Sequence, residues 1–92
     1  MDFEEIWNRI KAREGENFIT KKGLKFSYKM SGNGFSPSRT KYRISKTDVH
    51  KAFSLLPLQG PGEINNIVRG PSYVWAILHD KRIYWECPKV VI

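Results

Sequence analysis

Phe3, Ile6, Trp7 and Ile10 recur at intervals of three and four residues, the spacing that gathers apolar side chains into one stripe of an α-helix. Asp2, Glu4 and Glu5 stand at the start of that stretch and Lys11 and Arg13 at its end, so the charges complement the helix dipole, and Gly15 offers a stop. The period then shortens to two. Residues 17–30 predict a hairpin turning near Lys22-Gly23, whose second arm sets Leu24, Phe26, Tyr28 and Met30 on one face and Lys25, Ser27 and Lys29 on the other. Ser31-Gly32-Asn33-Gly34 supplies the next turn. After Pro37 the alternation resumes with Tyr42 and Ile44 directed inward and Arg39, Lys41 and Arg43 outward, which predicts a third strand and an antiparallel meander.

Ser45-Lys46-Thr47-Asp48 has the form of a capping box, with Ser45 accepting an amide N–H three residues on and Asp48 reaching back. It opens a second helix whose stripe is Val49, Ala52, Phe53 and Leu56 and whose end is Pro57. Gly60-Pro61-Gly62 connects to a short helix through Val68 with Ile64, Ile67 and Val68 turned inward, and Gly70-Pro71 separates this from Tyr73–Leu78, apolar almost all round and expected to be buried. His79-Asp80-Lys81-Arg82 reads as a charged turn and Ile83-Tyr84-Trp85 as a short strand. Val90-Val91-Ile92 is a final strand or an edge that pairs with a second copy of the chain. The predicted fold class is α+β: an N-terminal helix, a three-stranded antiparallel sheet, two or three short helices and a short C-terminal strand. All of it fits one domain spanning residues 1–92, a length that supports a single modest core.

With 40% hydrophobic and 13% aromatic residues, the composition is that of a chain that folds, not of a disordered one. No apolar run nears the roughly 18 residues of a membrane-spanning helix, and the acidic start lacks the positive region of a signal peptide. The single cysteine, Cys87, has no partner for an internal disulfide and no Cys or His at zinc-site spacing. These features predict a cytoplasmic protein without a bound metal or cofactor.

The charge changes the picture most. The net charge is +7, and between Lys21 and Lys51 there are nine basic residues and one acid, Asp48, so the excess sits in one third of the chain. The meander would place Lys25, Lys29, Arg39, Lys41 and Arg43 on one outer face, with Lys46 and Lys51 extending it. Such a face attracts an anionic partner, nucleic acid or an acidic protein surface. Alternation turns Phe26, Tyr28 and Tyr42 away from the cations, leaving few rings for stacking, so contacts to a duplex backbone or groove are expected ahead of base recognition in single strands.

Two other readings stand beside this one. The apolar stretch from Tyr73 to Ile92 could serve as an interface for a partner or for a homodimer. A small enzyme or ligand-binding protein could assemble its site from distant residues, but the sequence patterns no catalytic group. Asp2, Glu4, Glu5, Asp48 and Glu63 are accounted for by helix ends, and His50 falls on the exposed side of its helix. The order helix, three strands, helix over residues 2–56 resembles that of double-stranded-RNA-binding domains in topology. It departs from them at the second helix, where Ser45-Lys46-Thr47-Asp48 stands in place of that family's lysine-rich run.

Overall fold

Asp2 caps the first helix, its carboxylate accepting the Glu5 amide N–H at 3.0 Å. In the computed structural model, which describes residues 2–84, this helix (α1, Phe3–Ala12) buries Phe3, Ile6, Trp7 and Ile10, the stripe its spacing predicts. Two small antiparallel sheets follow. Strands β1 (Phe18–Ile19) and β2 (Lys25–Phe26) form a hairpin, and β3 (Tyr28–Met30), β4 (Gly34–Pro37) and β5 (Ile44–Ser45) form a three-stranded meander with β4 at its centre. Helix α2 (Lys46–Phe53), a 3-10 turn (Pro61–Ile64) and helix α3 (Pro71–Leu78) complete an α+β fold around one core.

The predicted second arm is divided at Ser27. Phe26 and Tyr28 on either side are both 1% exposed, so the inward alternation survives the break, whereas Leu24 at its start is 49% exposed. The larger correction concerns the third strand. Residues 39–43 are not extended: β3 pairs instead with Gly34–Pro37, in the register Tyr28 to Pro37, Lys29 to Ser36 and Met30 to Phe35. Of the predicted strand only Ile44 remains, paired with Phe35.

Two physical reasons account for this. Phe35, fully buried, contributes more apolar surface to the middle of the sheet than any residue between Ser38 and Arg43. A strand of Arg39, Lys41 and Arg43 alongside β2 and β3 would also have set like charges across from Lys25 and Lys29. The loop spreads them instead.

The turn between β3 and β4 is a two-residue loop in which Ser31 and Gly34 exchange backbone hydrogen bonds of 2.9 and 3.1 Å. Gly32 takes the positive φ of 57° that such a loop demands. Ser45 caps α2 by accepting the Asp48 N–H at 3.1 Å. Asp48 does not close the box. Its carboxylate accepts the Arg69 amide N–H at 3.0 Å, tying α2 to the start of α3.

The predicted helix from Pro61 to Val68 shrinks to the 3-10 turn, in which Ile64 is buried but Ile67 is 41% exposed. Gly70 divides it from α3 with φ of 62°, and a Cβ there would come within 2.6 Å of Ile44 Cδ1, so both conformation and space require glycine. The apolar segment that follows is the buried helix its composition predicts, with Val74, Ala76, Ile77 and Leu78 in the core. Ile83 lies in a turn. Tyr84 follows outside any strand and packs on Phe53 at 5.7 Å, so the predicted strand does not form there; Trp85, Cys87 and Val90-Val91-Ile92 lie outside the described residues.

The charged turn after α3 is structural. Arg82 lies over the Phe18 ring at 4.0 Å, holds Asp80 at 2.9 Å and Glu16 at 3.2 Å, and donates to the Asn17 carbonyl at 2.8 Å. His79 stacks on Trp75 with centroids 4.5 Å apart. Its Nε2 is buried without a hydrogen bond, and the Leu58 carbonyl accepts the Trp75 indole N–H at 3.1 Å.

Burial lowers the His79 pKa below its ordinary 6.5, against the opposing pull of the Trp75 and Leu58 carbonyls. The unfolded chain therefore takes up the proton first. The contribution of neutral His79 to stability is complete above about pH 6.5 and declines as pH falls below it. Thermal unfolding followed against pH should show this loss in the native protein and a shallower one in His79→Phe, which keeps the ring stack. Equal pH dependence in both would exclude His79 as the source.

Candidate nucleic-acid interface

The outward side chains of β3 and β4, Lys29 and Ser36, are register partners, while Tyr28, Phe35 and Pro37 point into the core. Of the predicted cations, Lys29 stands directly on this surface. The loop after β4 folds back over it: the Ser38 N–H donates to the Ser27 carbonyl at 2.7 Å and the Ser27 N–H donates to Ser38 Oγ at 3.0 Å. Arg39 then reaches β2, its Nε donating to the Lys25 carbonyl at 2.7 Å. Arg43 lies across the turn between β3 and β4, with Nη1 donating to the Ser31 carbonyl at 3.2 Å. Both arginines are thus held by backbone oxygens, which leave their charge unneutralised.

Lys25, Lys29, Arg39, Lys41 and Arg43 are all exposed. Among the described residues none of the five lies within ion-pair distance of a carboxylate: the ion pairs formed there use Arg13, Lys46 and Arg82. The acids are engaged elsewhere, at the Asp2 cap, in the Arg82 cluster, and with Glu14 accepting the Met30 amide N–H at 2.6 Å. Residues 17–47 contain no acid at all. Beside Lys29 lies a groove of about 270 Å³ lined also by Tyr28, Pro37 and the hydroxyl-bearing residues Ser27, Ser36, Ser38 and Thr40. Hydroxyls beside ammonium and guanidinium groups suit phosphate oxygens, which accept from both.

Lys46 and Lys51 differ from these five. Lys46 Nζ is 2.9 Å from a Glu4 carboxylate oxygen and 5.8 Å from the Trp7 ring centroid, so its charge is met within the fold. Lys51 is exposed on α2, outside the sheet's strands. Nearby His50 stacks on Phe3 with centroids 4.4 Å apart, a packing role.

A second feature adjoins this face. Tyr42, between Lys41 and Arg43, is not on the sheet; it is half-buried in a larger groove of about 680 Å³ between the β1–β2 hairpin and the start of α3. Tyr73 lines the same groove and packs edge-on against Phe26 at 4.9 Å. Burial raises the Tyr42 pKa, the nearby Tyr73 adds to the rise and Arg69 opposes it, so the phenol stays protonated at neutral pH. The guanidinium of Arg69 stands 5.3 Å from the Tyr42 ring centroid.

Reading by alternation left Tyr42 with the core and assigned no role to Lys21, Lys22 or Arg69. Only the Lys21-Lys22 doublet carried a local signal. Arg69 is brought to Tyr42 by the Asp48 contact and the turn at Gly70.

Among the described residues no His, Cys, Asp and Glu side chains are grouped so as to hold a metal ion, and no helix is long and apolar enough to cross a membrane. Comparison with family models, with curated proteins and with solved structures found no match.

Proposed function

We propose that this chain is a nucleic-acid-binding module that meets the phosphate backbone, of a duplex included, with Lys25, with Lys29 on the outer face of β3 and β4, and with Arg39, Lys41 and Arg43 of the loop that follows. One observation carries the reading: five exposed cations, Lys25, Lys29, Arg39, Lys41 and Arg43, stand on β2, β3 and the loop after β4 with no carboxylate of the described residues paired to any of them, and Lys29 borders a groove that Ser27, Ser36, Ser38 and Thr40 also line. A face of this kind in an isolated fold carries mutual repulsion, which a polyanion relieves while releasing its own counterions. Lys46 is left out of the contact set because Glu4 already neutralises it. The lone Cys87 supports a reducing, cytoplasmic setting for this activity.

Titration of labelled duplex DNA, duplex RNA and single strands over a range of salt tests the proposal. With about 0.9 counterions released per phosphate contact, five contacts predict a slope near −4.5 for the logarithm of affinity against the logarithm of salt on duplex DNA. Absence of binding to all of them at low ionic strength would overturn it.

A further inference from the structure

We infer that the groove between the β1–β2 hairpin and α3 receives an unstacked base of single-stranded nucleic acid, whose flanking phosphates meet Lys21, Lys22 and Arg69. The inference rests on the nucleic-acid reading above and adds a second, base-dependent contact to it. The groove's volume of about 680 Å³ lies within the range of small-ligand sites, roughly 300 to 1,000 Å³. Its lining is mainly apolar and partly aromatic: Leu24 is 49% exposed at one wall, Pro61 and Pro71 lie at others, and Tyr42 and Tyr73 present rings with hydroxyls. Flat rings bordered by cations are what recognition of unpaired bases uses, and an arginine above a tyrosine extends the stacking platform because guanidinium itself stacks on bases.

Charge complementarity favours this occupant over a peptide. Lys21 and Lys22 line the groove and Arg69 stands at Tyr42. Lys21 is held in place by donating to the Gln59 carbonyl at 2.7 Å, which uses one of its three N–H groups and leaves its charge unneutralised. The closest acids in the sequence of these walls are turned to backbone amides, Glu63 to Gln59 and Asp48 to Arg69. Lys25 and Lys41, both exposed, are chain neighbours of the groove residues Leu24 and Tyr42, so a strand whose phosphates meet these lysines passes close enough to deliver a base into the groove. A duplex cannot do so without unpairing, since its bases are already stacked.

Fluorescence anisotropy with three labelled probes of one length separates the claims: a single strand, the same strand bearing abasic positions, and the duplex. The single strand should bind about tenfold more tightly than its abasic counterpart, the scale of one base stacked on an aromatic ring. Tyr42→Leu should lose that difference while its duplex affinity stays within about twofold of the native value. Should Tyr42→Leu fail to fold, amide chemical shifts of the native protein serve instead: Leu24, Gly70 and Tyr73 should move with the base-bearing strand and stay in place with the abasic one.

Equal binding of abasic and intact strands, with salt-dependent duplex binding retained, would overturn the groove assignment and leave the phosphate-binding face standing. Loss of binding to every probe would overturn both. Displacement of the single strand, but not the duplex, by a polyglutamate peptide with no base dependence would reassign the groove to an acidic protein partner.

Discussion

Exchanging Lys29 and Lys41 together for glutamate should weaken binding to duplex DNA about 60-fold at 0.1 M salt. Each phosphate contact that releases about 0.9 counterions is worth about eightfold in affinity between 1 M and 0.1 M salt, and two such contacts multiply. Reversal adds repulsion, so the figure is a lower bound. These lysines are better probes than the arginines beside them, because Arg39 and Arg43 also hold the Lys25 and Ser31 carbonyls, and replacing them would disturb the loop as well as the charge. Lys29 and Lys41 are exposed, and neither ion-pairs with any described residue.

The thermal midpoint of Lys29→Glu/Lys41→Glu should therefore lie close to that of the native protein, while the salt slope falls by about two. Exchanging Lys46 alone provides the contrast. Its charge is spent on Glu4, so Lys46→Gln should leave affinity nearly unchanged. A double variant that binds as tightly as the native chain would remove the sheet face from the proposed interface.

The elements that the sequence makes legible are those whose signals are local. Helix α1 carries its cap, its stripe and its charge order within a dozen residues, and the structure returns each of them. Ser45 caps α2 for the same reason. The stretch from Ser36 to Ser45 is legible only in part, because alternation of charged and apolar residues has two physical solutions. In a strand every second side chain enters the core; here Ser36-Pro37 and Ile44-Ser45 at the two ends join the sheet, Tyr42 enters a separate groove, and Arg39, Lys41 and Arg43 hang on the loop.

What decides between the two is which segment pairs with β3, and that competition is won by Phe35, a single aromatic residue immediately after the Ser31-Gly32-Asn33-Gly34 turn. The cations were legible as a group because composition alone sets their excess. Where they stand in the fold depends on contacts such as Arg39 to the Lys25 carbonyl, 14 residues apart, which no periodicity encodes. Asp48 shows the same limit in small, since a capping-box residue is drawn instead to an amide 21 positions away.

Phe35→Ala should lower the thermal midpoint by about 15 to 30 °C. Phe35 is fully buried in the central strand of the three-stranded sheet, with its ring centroid 5.1 Å from Tyr28 and 6.5 Å from Trp7. It therefore joins the sheet to α1, and its backbone pairs with Met30 on one side and Ile44 on the other. Truncating a buried phenylalanine to alanine costs about 3 to 5 kcal/mol through lost transfer energy and the cavity left behind.

A chain of 92 residues has roughly 5 to 14 kcal/mol of stability in all, so the variant loses a large share of it. Phe35→Leu keeps most of the volume and should cost less than about half as much. The same strand presents Ser36 to the outer groove, so the core contact at Phe35 and the phosphate-facing surface rest on adjacent residues of β4. Circular dichroism melting of the two variants, read beside their duplex affinity at a temperature where both are folded, separates the effects. Binding should survive in Phe35→Leu, and a midpoint shift below about 5 °C in Phe35→Ala would show that the sheet is held by something other than this ring.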